Sequence, residues 1–222
     1  MDPTSTPTTR SMSRRRRALL IVPVGLAMAG TVAIGAGRAS ADSPFAQATL
    51  RDASGQAVGR VQFYDEDHHT TVRVRLAANA NVTPEQFHGF HVHAGSDAAS
   101  GTSGCVADAT KPSSTWFVSA GGHYKEDGQV HAGHLGDLPS LHVNADGSAT
   151  STFSTDRFVP GDLDGRAIVL HAGPDNFGNV PVGTAPEPYT ANSAAAVTRT
   201  QNTGNAGDRV ACGVISTRRG RH

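Results

Sequence analysis

Three consecutive stretches alternate apolar and polar residues with a period of two: QATLRDA (47–53), AVGRVQFYD (57–65) and TTVRVRLAA (70–78). Successive side chains of a strand point to opposite faces, so this pattern belongs to strands with one face in a core and one in water. HGFHVHA (88–94) reads as a fourth strand. LHVNADGSATSTFST (141–155) reads as two strands about Asp146-Gly147, a hairpin signal, and RAIVLHA (166–172) and RVACGVIS (209–216) complete the set. Short strands with turn-rich links predict an all-β sandwich or barrel. Two long segments, about 95–139 and 173–207, lack the period and read as functional loops.

The first 41 residues carry a different signal. SRRRR (13–17) precedes an apolar run, ALLIVPVGLAMAGTVAIGAG (18–37), and ASA (39–41) ends in a small-x-small pattern before Asp42. That is the order of an export signal, and it places the protein in the periplasm, cell envelope or extracellular space. The apolar run is also long enough to serve as a membrane anchor. Pro23 and four glycines within it favour cleavage. The rest divides into a folded domain, 42–216, and a basic tail, 217–222. Residues 1–41 hold six arginines and one acid, so 19 basic and 19 acidic residues become 13 and 18 from Asp42 onward, a net charge of −5. An acidic chain is a poor match for nucleic acid. Cys105 and Cys212 are the only cysteines. In an exported chain such a pair reads as a disulfide, closing a loop of 107 residues; two buried thiols are the alternative.

Histidines are the chemical signal. There are eleven; ten lie between His68 and His171, and the last is His222. Residues two apart on a strand share a face, so His91 and His93 point together while Phe90, Val92 and Ala94 point to a core. Alone, such a pair is more often a surface feature than a ligand pair, and His68-His69 reads as surface. GGHYKEDGQVHAGHLGDLP (121–139) adds His123, His131, His134 and Asp137, and VLHAG (169–173) adds His171 at a strand end. Copper(II) and zinc(II) both take imidazole, and zinc accepts carboxylate as well. Six histidines and an aspartate at strand ends and in a glycine-rich loop make a metal site the better reading.

On GFHVH (89–93), GGH (121–123), HLGDLP (134–139), HA-x-x-DN (171–176) and GNAGDRVACGVI (204–215), the sequence resembles the exported bacterial copper–zinc superoxide dismutases. The resemblance runs from about Phe45 to Ile215. It implies an immunoglobulin-like Greek-key β-sandwich or barrel. It implies an enzyme converting superoxide to dioxygen and hydrogen peroxide by alternate reduction and oxidation of a histidine-bound copper. By that resemblance copper is held by His91, His93, His123 and His171. Zinc is held by His123, His131, His134 and Asp137, with His123 shared and itself a proton carrier. Asp175 hydrogen-bonds ligands of both metals, and His88 is a buried structural histidine. Cys105 and Cys212 match the family's disulfide. Arg209 matches the catalytic arginine that draws in the anion, beside Thr203, and Gly204 and Gly207 permit the turn that aims Arg209 inward.

Two departures stand out. Only Ala132-Gly133 separates His131 from His134, so the zinc loop is shorter than the family usually has. The place of His131 depends on where that gap falls, and a copper-only enzyme is the variation it leaves open. The segment after Asn176 carries few charges, which leaves steering to Arg209. Two other readings compete. A non-catalytic copper-binding or copper-buffering domain would lack a copper ligand or the arginine, and this chain has both. A zinc hydrolase would need a general base at an open zinc position, and none is marked.

Overall fold

The computed structural model describes residues 43–78, 80–95, 104–180 and 193–218. The expected export signal and the last four residues lie outside them. Among the described residues no helix is long and apolar enough to cross a membrane.

The three alternating stretches form successive antiparallel strands, β1 (Ala46–Arg51), β2 (Ala57–Glu66) and β3 (His69–Leu76). Burial follows the alternation: Ala46, Ala48 and Leu50 are buried, and Gln47, Thr49 and Arg51 are exposed. β4 (Gln86–His88), β5 (Phe90–His93), β6 (Leu141–Val143), β7 (Ala149–Thr155), β8 (Ala167–His171), β9 (Arg209–Val214) and β10 (Ser216–Thr217) follow. The main sheet runs β5-β8-β9-β1-β2-β3-β7, with β10 beside β1, and β4 and β6 form a separate two-stranded ladder. All ladders are antiparallel. Leu50, Phe63, Val72, Phe90, Leu141, Ile168 and Ala211, from seven different strands, meet in one buried cluster. The sheet is therefore curled around a single core, as in a Greek-key β-barrel. Each of its wholly buried large side chains contributes on the order of 2 kcal/mol.

Three local expectations are corrected. The stretch 88–94 is not one strand but two, because the chain changes partner at Gly89. Gly89 N donates to Gly173 O (2.8 Å), and Gly89 O accepts from His171 N (2.9 Å). The turn at 144–148 forms, with Asn144 N donating to Ser148 O (2.8 Å), but the strands then part. β6 pairs with β4, and β7 with β3. The second long segment contains a helix, α1 (Ala194–Thr203). Ser193 Oγ accepts from Ala196 N at its start, and Gly204 closes it in the left-handed conformation, φ 58°.

β8 is buried on both faces. Ile168 and Leu170 point into the core, while Ala167 and Val169 pack outside it against Phe117, Ala120 and Cys212. Loop residues 104–120 cover that outer face, and the Cys105–Cys212 disulfide (S–S 2.03 Å) fastens them to β9. The paired-cysteine reading thus holds over two free thiols. His171 lies in phase with Ala167 and Val169, which places the histidines outside the barrel and beneath the loops.

Candidate metal centre

β5 ends the main sheet, so one of its edges needs partners. The loop supplies them. Val92 N donates to Gly136 O (2.8 Å), Tyr124 N to Val92 O (2.9 Å) and Ala94 N to Gly122 O (2.9 Å). These bonds set Asp137 opposite His91 and His123 opposite His93. On the other edge β8 aligns with β5 and carries His171. Backbone pairing on both edges of one short strand thus gathers residues far apart in sequence.

Two donor sets result. Ligand atoms of His91, His93, His123 and His171 lie within 4.8 Å of one another, all buried. His93 Nε2 and His171 Nε2 are 3.3 Å apart. Their Nδ1 atoms are turned away, toward Gly121 O (2.9 Å) and Gly207 O (3.0 Å). The second set gathers about Asp137. His123 Nδ1 is 2.8 Å from Asp137 Oδ1, and His134 Nδ1 is 3.2 Å from His123 Nδ1 and 3.3 Å from Asp137 Oδ1. Ligand atoms of His131, His123 and Asp137 fall within 4.8 Å of one another. His91 also falls in that group, but its Nε2 is committed to Asp175, which leaves its Nδ1 for the first set. His123 is the member common to both.

Asp175 joins the two sets. Its Oδ1 lies 2.8 Å from His91 Nε2 and 3.2 Å from His131 Nε2, and its Oδ2 accepts from Ser140 Oγ (2.9 Å). Burial raises the Asp175 carboxyl, but the bonds from His131, His91 and Ser140 outweigh it and hold the group well below the usual carboxylate range. Nδ1 of His91 is left buried with no hydrogen-bond partner among the described residues, as are both ring nitrogens of His131 and Nε2 of His134. Bound cations answer orphaned imidazole lone pairs of this kind. His88 is wholly buried, its ring nitrogens 2.8 Å from the carbonyl oxygens of His171 and Thr83. Two glycines make room. A Cβ on Gly89 would stand 2.6 Å from Ala206 Cβ and 2.9 Å from Asp175 Oδ1, and one on Gly204 would collide with the His131 ring.

Burial pushes His123 down to about 4 and His171 down to about 3, and it holds His93 well below its ordinary value. These imidazoles are neutral at pH 7 and ready to donate lone pairs. His131 moves the other way: burial lowers it, but Asp175 and Asp137 raise it further. A cleft of about 880 Å³ opens onto His93, His123 and His171. Arg209, half-buried at its wall, donates to Phe117 O (2.5 Å) and Gly121 O (2.6 Å). Thr203 also lines the cleft, its Oγ1 bonded to Arg199 O (2.8 Å).

The family described as "Copper/zinc superoxide dismutase (SODC)" matches residues 57–215. The chain belongs to the copper/zinc superoxide dismutase family. A protein named "Superoxide dismutase [Cu-Zn]" from Mycolicibacterium paratuberculosis is 37% identical over 186 residues, covering 80% of this chain and 76% of the relative. Proteins of the same name from Mycobacterium tuberculosis (36% identical, covering 79% and 73%) and Escherichia coli (32% identical, covering 72% and 80%) also match. Among solved structures, one titled as that of the clock protein EA4 superposes with a TM-score of 0.54 at 25% identity, covering 79% of this chain and 96% of that one.

For a member of this family, whose cofactors are copper and zinc, the short zinc loop carries its own support. Arg157, which sequence reasoning passed over, donates to three carbonyls of that loop: Ala132 (2.8 Å), His134 (2.9 Å) and Asp137 (3.0 Å). Nothing in its own stretch, STDRFVP (154–160), signals this role. The cleft carries cations besides Arg209, although the segment after Asn176 is poor in charge. Lys125 and Arg199 stand on its rim with Arg209, and Lys125 Nζ donates to Asn202 Oδ1 of α1 (3.0 Å).

Proposed function

We propose that the protein dismutes superoxide at copper held by His91, His93, His123 and His171, beside zinc held by His123, His131, His134 and Asp137. The observation that carries this assignment is the four-imidazole cluster opening onto a cleft walled by Arg209. Bound copper supplies the one-electron couple that oxidises one superoxide to dioxygen and reduces a second to hydrogen peroxide. The chain supplies the rest. Among the described residues the Arg209 guanidinium bonds to carbonyl oxygens and to no carboxylate, so its positive charge is not neutralised, and it draws a small anion into the cleft of a protein that is net negative overall. His123 Nδ1 is committed to the zinc set, so its Nε2 is the atom that holds and delivers a proton at the cleft floor. Asp175 fixes the rings of His91 and His131.

Residues 1–41 serve as a cleaved export signal in this reading, and the domain from residue 42 works outside the cytoplasm, where a disulfide persists. A copper-buffering domain would have no use for an arginine aimed at the open side of the histidines. No nucleic-acid partner is proposed. The test is metal analysis of the purified protein combined with a superoxide-decay assay. One copper and one zinc per chain with catalytic decay support the assignment. Stoichiometric copper without catalysis overturns it in favour of buffering.

A further inference from the structure

The outward face of β1, β2, β3 and β7 carries a second concentration of positive charge, on strands that bear none of the metal donors. Their register aligns Thr49, Arg60, Arg75 and Thr150 in one row and Gln47, Gln62, Arg73 and Thr152 in the next. Arg51 ends β1 on the same face. Neither row contains a carboxylate. Among the described residues the guanidiniums of Arg60 and Arg75 have no hydrogen bond and no ion pair. Arg73 lies 4.3 Å over the ring of Tyr64, and Arg51 donates to Gly55 O of its own turn. Asp52, the acid next to Arg51, spends Oδ1 on Ser54 and on Gln56 N. Arg60 and Arg75 are direct cross-strand partners, an arrangement of like charges that destabilises a sheet unless an anion joins it. A groove of about 570 Å³ runs between Arg60, Arg73 and Arg75, bordered by Gln62, Thr150 and Thr152.

We propose that this face docks an acidic polysaccharide, a chain of sugars bearing carboxylate groups, along Arg60, Arg75 and Arg73. The guanidinium fork matches a carboxylate with two parallel hydrogen bonds. Neighbouring strands lie about 4.8 Å apart and same-face residues about 6.7 Å apart along a strand, so the charges recur at an interval that one carboxylate per sugar can follow. The threonine hydroxyls and glutamine amides between them suit sugar hydroxyls. The face offers nothing to insert into a bilayer, since Val61, Val72 and Val74 point into the core. It offers no open aromatic platform for stacking bases, since Tyr64 is buried under Arg73.

The test uses the metal-loaded protein and a polygalacturonate oligomer, with binding measured by calorimetry between 50 and about 200 mM salt, a range over which contacts between arginine and a polyanion weaken steeply. Binding that weakens with salt, and that drops at least tenfold in Arg75→Glu and disappears in the Arg60→Ala, Arg73→Ala, Arg75→Ala triple variant, supports the proposal. Arg75→Glu gains a cross-strand pair with Arg60, so its thermal midpoint should not fall, and superoxide decay by both variants should match the parent. No binding by the parent overturns the proposal. So does undiminished binding by the variants, or binding to anionic phosphatidylglycerol vesicles or single-stranded DNA but not to polygalacturonate.

Discussion

Arg209 and Arg157 are chemically alike in this protein: among the described residues the guanidinium of each donates only to backbone carbonyls, and neither is neutralised by a carboxylate. Their positions give them different work. Arg209 lines the cleft, so in the proposed function its retained charge acts on the substrate. Arg209→Ala should cut the superoxide rate about tenfold, within the range expected for lost steering, and flatten its dependence on ionic strength. A stopped-flow series over salt concentration checks this, and an unchanged salt dependence would move steering to Lys125 and Arg199. Arg157 faces away from the cleft and holds the carbonyls of a loop with almost no regular structure of its own. Arg157→Ala should weaken zinc about ten- to a hundredfold, the usual cost of losing a group that orients ligands. Chelator competition reads zinc directly, and copper affinity should move far less.

At the scale of elements, the centre is an edge-strand device. β5 borrows β8 on one side and loop backbone on the other, and the loop can serve only while it is fastened. The disulfide and the packing of Phe117 and Ala120 on β8 and β9 do that fastening. Cys105→Ser should cost about 2–5 kcal/mol in denaturant unfolding and should slow the enzyme, because the loop also presents Phe117 O and Gly121 O to Arg209. A variant with full stability would show that packing alone holds the loop. What the sequence revealed and concealed follows the same division. β1, β2 and β3 were legible because alternation is a local property. The break at Gly89 was not, because it answers to Ala206 and Asp175, more than 80 residues away. α1 was missed by attention to a period of two, although Ser193, three alanines and Gly204 spell a capped helix. His91 and His93 were legible as a same-face pair. His123 and His171 were legible as metal candidates, but their place beside His91 and His93 came only through the family resemblance, since strand register brings them together and spacing does not.

Across the whole molecule, the buried imidazoles link folding to pH with a definite sign. His123 and His171 titrate near 6.5 when unfolded but near 4 and 3 when folded without metal, so the unfolded chain takes up protons that the native chain refuses. Their contribution is fully present above about 6.5 and is lost as pH falls toward the folded values. For His123 the difference corresponds to about 3 kcal/mol. Asp137 and Asp175, both depressed, add a loss of the same sign below the ordinary carboxylate range. His131 opposes them: its raised value stabilises the fold below 6.5 and gives that up as pH rises. Between pH 6.5 and 4 four lowered histidines, His93, His123, His134 and His171, stand against the one raised, His131. The metal-free protein should therefore lose stability steadily from pH 6.5 to 4, seen as a falling thermal midpoint. His123→Asn should make that fall shallower by removing one of the linked groups. A thermal midpoint constant over this interval would mean that the histidines do not come together until metal arrives, and that the edge of β5 is not closed in advance.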